Sequence, residues 1–416
     1  MKKLYLIFSL FVLLLCSSCS KSDDKVVISF STWGSQSEIN TIKYLIDDFE
    51  KNNSNIKVEL VHIPDNYFQK LHLLIASNLA PDVMFINNLN FKMYLDAGKL
   101  EPLNNYIDTS RSVKKSDFFS NSLAPFIDSN ELYAIPRDIS NLVIYYNKNL
   151  FEANNIPFPK DDWSIDDFLK TAQLLTIDNN QDGKTDVWGV GFEKKSLFWL
   201  PFLFSNGGGI LSSEDGRVIL NSKKSIDALK FYSDLRNKYK VAPSASEQSS
   251  LTTSQLFLQN KVAMHLCGRW CSLTYKKNAT FDWDIVRFPR GEEGSIVGLD
   301  VSGWVISANS KNKDAAWKFI EFLSTDKSLE ILTQDGLIFP AKINVANSNV
   351  FLAEPPRNAR AFIEVAKSAV PTPVTEKYAE INDLLDENLE GLFNGNISID
   401  DAVSDELILR LNKLLN

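Results

Sequence analysis

Histidine is scarce in this chain: only His62, His72 and His265 occur in 416 residues, and their spacing forms neither a zinc-binding set nor a nucleophile–base pair. No Walker-type glycine loop is present, so nothing points to nucleotide hydrolysis. Beyond the first fifteen residues there is no long apolar run, which leaves no segment to cross a membrane as a helix. Positive charge is also in deficit. Lys and Arg number 44 against 52 Asp and Glu, a formal net charge of -8. That balance excludes a nucleic-acid binder and a protein adsorbed on anionic lipid, since both need a basic surface.

What is present begins at the N-terminus. Lys2 and Lys3 precede the twelve-residue apolar stretch Leu4–Leu15, which is too short to span a bilayer, and then come Ser17, Ser18 and Cys19. This resembles a bacterial lipoprotein signal: residues 1–18 would be removed, Cys19 lipidated, and 19–24 left as a flexible tether. The other reading is an ordinary export signal with a spare cysteine. Either way the mature protein is exported, and under the first it is anchored to the cell membrane, on its periplasmic or outer face, through lipid alone. Removing Lys2 and Lys3 takes the charge from -8 to -8 - 2 = -10. Cys267 and Cys271 flank Gly268-Arg269-Trp270; they are either a disulfide or two buried thiols, and no nearby histidine pair makes them a closed zinc site.

The ~390 mature residues exceed what one compact core usually holds, so two lobes are expected. Val26–Thr32 predicts a strand, Glu38–Asn52 a helix with apolar residues at helical period, Ile56–His62 a strand, Tyr67–Leu79 a helix and Val83–Ile86 a buried strand. That alternation is α/β architecture, with ligands expected beyond strand C-termini. The strand ends at Trp33–Gln36, Pro64–Tyr67 and Asn87–Asn88 therefore make a plausible cleft rim. Asp82, after Pro81 and before a buried strand, reads as structural, bonding backbone N–H groups.

Further along stand Tyr133-Ala134-Ile135-Pro136-Arg137-Asp138, then Tyr145-Tyr146-Asn147-Lys148. After them come Gly268-Arg269-Trp270, Lys313-Asp314-Ala315-Ala316-Trp317 and Gly336-Leu337-Ile338-Phe339-Pro340. In this order the segments resemble the extracellular solute-binding proteins of ABC importers, the family that includes maltose- and glycerol-3-phosphate-binding proteins. The resemblance implies a two-lobed periplasmic-binding-protein-like α/β fold with a ligand cleft between lobes. The first lobe would take 25–139 plus 301–339 and the second 140–300 plus 340–416. Hinge crossings would lie near Asp138–Leu142, Asp300–Gly303 and Phe339–Lys342.

A sugar site wants aromatic planes and bidentate polar side chains. Trp33, Trp199 and Trp270 are the aromatic candidates, Trp270 first because the family's Gly-x-Trp tryptophan often underlies a sugar ring; Trp304 opens an apolar run and reads as weaker. Asp138, Ser140, Asp300 and Ser302 would supply polar contacts from the crossings, with Gln36, Asn66, Asn87 and Asn88 on the first lobe's rim. Asp138 and Asp300 disfavour anionic ligands unless Arg137, Arg269 or Arg357 compensates, which tilts the reading toward neutral sugars. The loop with Asp178, Asn180, Asp182 and Asp186 opens like an EF-hand calcium loop, but Gly189 replaces its final Glu; a tight Asx-type turn is the alternative. No cofactor is expected. The resemblance implies a monomeric binding subunit that takes a mono- or oligosaccharide to the transmembrane subunits of an ABC permease. The rivals are a binder of glycerol phosphodiesters or other polyols, a receptor feeding a sensor, and an exported glycosidase using Asp138 and Asp300.

Overall fold

The computed structural model describes residues 25–415, apart from 213–214, 249, 335, 337, 373–374 and 376. The signal segment and Cys19 lie outside the described residues. The chain opens with strand β1 (Val26–Thr32), helix α1 (Gln36–Asn52), β2 (Ile56–His62), helix α2 (Tyr67–Ala76), β3 (Val83–Asn87) and helix α3 (Asn88–Asp96). The three strands and the first two helices fall where the apolar pattern puts them, the first helix beginning two residues earlier than expected, while α3 was not expected from the sequence. Ile28, Phe30, Met84 and Phe85 are all buried, as are Ile39, Ile42, Leu45, Ile46 and Phe49 along one face of α1. Asp82 is structural, as expected, but its bonds are long-range. Its Oδ2 accepts from Ser29 N (2.8 Å) and Ser29 Oγ (2.9 Å), and its Oδ1 from Ser310 Oγ (2.6 Å).

After a short hairpin come β4 (Ile135–Ser140), β5 (Val143–Asn147), β6 (Trp188–Val190), β7 (Val262–Cys267), helix α4 (Trp270–Asn278) and β8 (Trp283–Val286). Then follow β9 (Gly298–Ile306), β10 (Phe339–Pro340), β11 (Val370–Pro371) and helix α5 (Tyr378–Phe393). These strands make two main sheets. A seven-stranded sheet runs β10-β4-β9-β3-β1-β2 with β11 joined to β9, and a four-stranded sheet runs β8-β5-β7-β6. The two α/β halves are thus built on separate sheets, with only Asn141 and Leu142 between β4 of the first and β5 of the second. Asp300–Gly303, read as a crossing, is instead inside β9, paired to β3 on one side and β4 on the other.

The loop at 178–186 closes on itself. Asp178 accepts from Asp182 N (3.3 Å) and Gly183 N (2.8 Å), Asn180 Oδ1 from Asp182 N (3.0 Å), Asp182 from Lys184 N (2.8 Å) and Asp186 from Asn179 N (2.8 Å). Its carboxylates serve the local backbone, the arrangement of an Asx-type turn.

Candidate functional site

Strand direction decides which side chains meet. β1 and β3 run parallel and β9 runs against β3, so the start of β9 lies beside the C-terminal end of β3. Ser302 faces Asn87 on one side and Asp138 on the other, and Asp300 faces Ser140. Six expected residues, Asn87, Asn88, Asp138, Ser140, Asp300 and Ser302, therefore collect at one edge of the large sheet, next to the Asn141–Leu142 crossing. Trp33 joins them from the end of β1. Its ring is half-buried, 4.2 Å from the Phe85 ring and edge-on to Tyr67 at 5.0 Å.

Most of these polar groups are held by neighbours. Asn87 Oδ1 caps α3 by accepting from Asn90 N at 3.1 Å. Asn88 is buried; its Oδ1 accepts from Val301 N at 2.9 Å and its Nδ2 approaches Asp300 Oδ1 at 3.5 Å. Asp300 is held also by Thr372, and burial nonetheless pushes its carboxyl above the ordinary carboxylate range. The phenol of Tyr378, hydrogen-bonded to Asn382 and Ser196, lies within the field of Asp300 and is pushed up to about 12, chiefly by burial. Asp138 Oδ2 accepts from Arg137 Nε (3.1 Å) and Nη2 (2.7 Å), while Arg137 Nη1 donates to Glu38 Oε1 at 2.8 Å. Burial alone would lower the guanidinium's pKa, but Asp138 and Glu38 outweigh it and keep it charged.

The second half contributes Trp270. β7 is followed by Gly268, whose carbonyl accepts from Tyr145 Oη at 2.8 Å, and the turn into α4 has Cys271 N donating to Gly268 O at 3.1 Å. The Trp270 ring folds back over Gly268: a Cβ at that glycine would sit 1.9 Å from a ring carbon. Cys267 and Cys271 form a disulfide across this turn. Among the described residues the one grouping of metal-competent side chains is His265 with these two cysteines. Its sulfurs are bonded to each other, and His265 Nδ1 lies 2.5 Å from Tyr275 Oη.

Other expected residues stand apart from this edge. Trp199 is buried, its Nε1 donating to Lys194 O at 3.2 Å; a helix that is apolar all round puts it in the core, so no face is open to a ligand. Trp304 is likewise buried, beyond Phe85. Arg269 is buried with its guanidinium against Phe351 and Phe362 and Nη2 donating to Phe351 O. Arg357 projects into solvent beside Glu354. Gln36 and Asn66 are exposed: Gln36 donates to Asn40 on the surface of α1, and Asn66 precedes α2 in a left-handed conformation, its side chain making no cap. Sequence reasoning missed Glu38, Thr372 and Tyr378. The last two reach Asp300 because β11 pairs with β9, and a two-residue strand carries no periodic signal.

With this geometry in view, the likenesses are informative. A family model described as bacterial extracellular solute-binding protein matches residues 33–330. The maltodextrin-binding protein MdxE of Bacillus subtilis is 27% identical, covering 94% of this chain and 92% of that protein. The galactooligosaccharide-binding protein of Bacillus subtilis is 24% identical over 91% of this chain and 86% of its own. An ABC substrate-binding protein of Listeria monocytogenes, solved in complex with cycloalternan, superposes with a TM-score of 0.85 at 27% identity, covering 94% of this chain and 99% of that one.

Proposed function

This chain belongs to the bacterial extracellular solute-binding proteins, and from that premise we propose that it captures a neutral sugar, mono- or oligosaccharide, between its two halves. It then presents that sugar to the transmembrane subunits of an ABC importer. The observation that carries the reading is the strand register placing Asn87, Asn88, Asp138, Ser140, Asp300 and Ser302 at one sheet edge beside the crossing to the second sheet. Fixed side-chain acceptors and donors suit a ring of hydroxyls, and the half-buried planes of Trp33 and Trp270 suit the apolar faces of a sugar. The sugars in the names of the relatives support the same class.

Export and anchoring through a lipidated Cys19 complete the proposal, supported by the N-terminal pattern and the exported family. The chain acts as a monomer that binds and releases its ligand unaltered. A thermal-shift screen with neutral sugars, polyols, glycerol phosphates and short peptides tests this. A dose-dependent rise with one sugar class, with intact sugar recovered, is the expected result. Cleaved sugar would make it a hydrolase, and a response only to glycerol phosphates would move it to that ligand class.

A further inference from the structure

A break in the β4–β9 ladder places an arginine where alternation would not. Asp300, Val301 and Ser302 pair with Ser140, Ile139 and Asp138, but Gly303 pairs with Pro136, so Arg137 is an extra residue on β4. Such a bulge bends the strand and re-aims a side chain. Arg137 can thereby put two N–H groups on Asp138, its own neighbour, where regular alternation would send the two side chains to opposite faces. Gly303 permits the close approach: a Cβ there would fall 2.6 Å from Ile135 O.

The re-aimed guanidinium has a partner at each of its three nitrogens. Its face lies 3.9 Å from the Phe85 ring centroid, the same ring that carries Trp33 on the sugar-site edge. Nε and Nη2 are taken by Asp138 and Nη1 by Glu38. Side-chain exposures are only 6% for Arg137, 9% for Glu38 and 13% for Asp138. Glu38 in turn is seated against Gly34, which has φ +139° and where a Cβ would lie 2.6 Å from Glu38 Oε2. Among the described residues, Arg137 pairs with Glu38 and Asp138, Asp300 is held by Thr372 and Asn88, and Arg269 and Arg357 are engaged elsewhere.

We propose that Glu38 is a positioning and specificity residue: by occupying Arg137 it fixes the Asp138 carboxylate toward ligand hydroxyls and keeps that guanidinium from the ligand, so that anionic sugars are rejected. A uronate or sugar phosphate entering here meets Asp138 and Asp300 while Arg137 is already taken, whereas a neutral polyol meets acceptors already held in place. The inference rests on the sugar-binding reading above and adds the mechanism of its selectivity.

The test compares full mature wild type with Glu38→Gln and with Gly34→Ala, which displaces the carboxylate without removing it, in detergent. Binding is titrated with glucuronate, galacturonate trimer and glucose 1-phosphate as anionic probes, and with maltotriose, raffinose and galactobiose as neutral ones. Wild type is expected to bind a neutral probe and no anionic one. Both variants should keep a cooperative melt and shift the anionic-to-neutral affinity ratio at least tenfold toward anions. A wild type that binds an anionic probe as tightly as any neutral one overturns the filter, as does an unchanged ratio in the variant that still folds. If wild type binds none of the neutral probes but Glu38→Gln gains glucuronate binding, the filter stands and the sugar reading falls.

Discussion

At the residue scale, Trp270 and Asp300 carry opposite kinds of risk. Trp270 spends one ring face on Gly268, so its usefulness depends on a glycine that leaves room for the ring. Trp270→Ala should weaken sugar binding at least tenfold, about 1.4 kcal/mol. Gly268→Ala, which keeps the indole but forces it aside, should weaken binding in the same direction; calorimetric titration of both variants, with melts to confirm folding, checks this. Unchanged affinity in Trp270→Ala would remove the stacking role. Asp300 is different, because burial raises its pKa against the bonds from Thr372 and Asn88. A carboxyl whose folded pKa exceeds its unfolded value contributes stability that is full below the unfolded pKa and is lost as pH rises through the folded one. At neutral pH the ionised group therefore costs stability that Asp300→Asn should restore, while the variant binds sugar more weakly. Wild-type affinity should fall on acidification at a pH above the ordinary carboxylate range, and the variant should lose that dependence. Urea unfolding and titrations across pH test both, and a variant less stable at pH 7 would refute the burial argument.

Elements were legible where burial wrote a pattern into the sequence. β3 is an apolar run because both its faces are covered, β2 alternates because one of its faces is open, and α1 shows its period because one face is not buried. Asn87 was legible for a like reason, since a polar residue stands out at the end of such a run, whereas Asp138 and Ser302 lie inside their strands and were expected only from the family resemblance. Trp199 misled because a tryptophan beside loops looks alike in sequence whether its helix is half or wholly buried. The Arg137 bulge was invisible: Arg137 and Glu38 are 99 residues apart, and an extra residue in one strand changes no composition. The Cys267–Cys271 disulfide, left open by spacing alone, ties the end of β7 to the first turn of α4. Closing so short a loop stabilises by roughly 2 kcal/mol on chain entropy, so Cys267→Ala with Cys271→Ala should lower urea stability by about that amount. Reductant should destabilise wild type and leave the double variant unmoved. Indifference of the wild type to reductant would mean the staple contributes nothing.

For the whole molecule, two sheets joined through so short a passage as Asn141–Leu142 make a hinge the simplest way to admit and enclose a sugar. Asn141 is buried in that passage, its Nδ2 donating to Phe362 O at 2.9 Å, so it links the crossing to the helix Arg360–Ser368 without belonging to the ligand edge. A chain of 416 residues, compactly folded, has a radius of gyration of ~22 Å. Saturating sugar should reduce the measured radius by small-angle scattering, because closure expels solvent from between the halves. Apparent affinity equals intrinsic affinity scaled by the fraction of competent molecules, so a hinge change and a contact change leave different signatures. Asn141→Ala should alter the unliganded radius and the affinity together. Trp270→Ala should alter affinity alone and reach the same closed radius once enough sugar is added. At a hundred times the dissociation constant, bound sugar stabilises the fold by about 2.7 kcal/mol, enough to follow both variants by melting as well as by scattering. A radius that ignores sugar at saturation would show that the site is preformed, and Asn141 would then have no route to affinity.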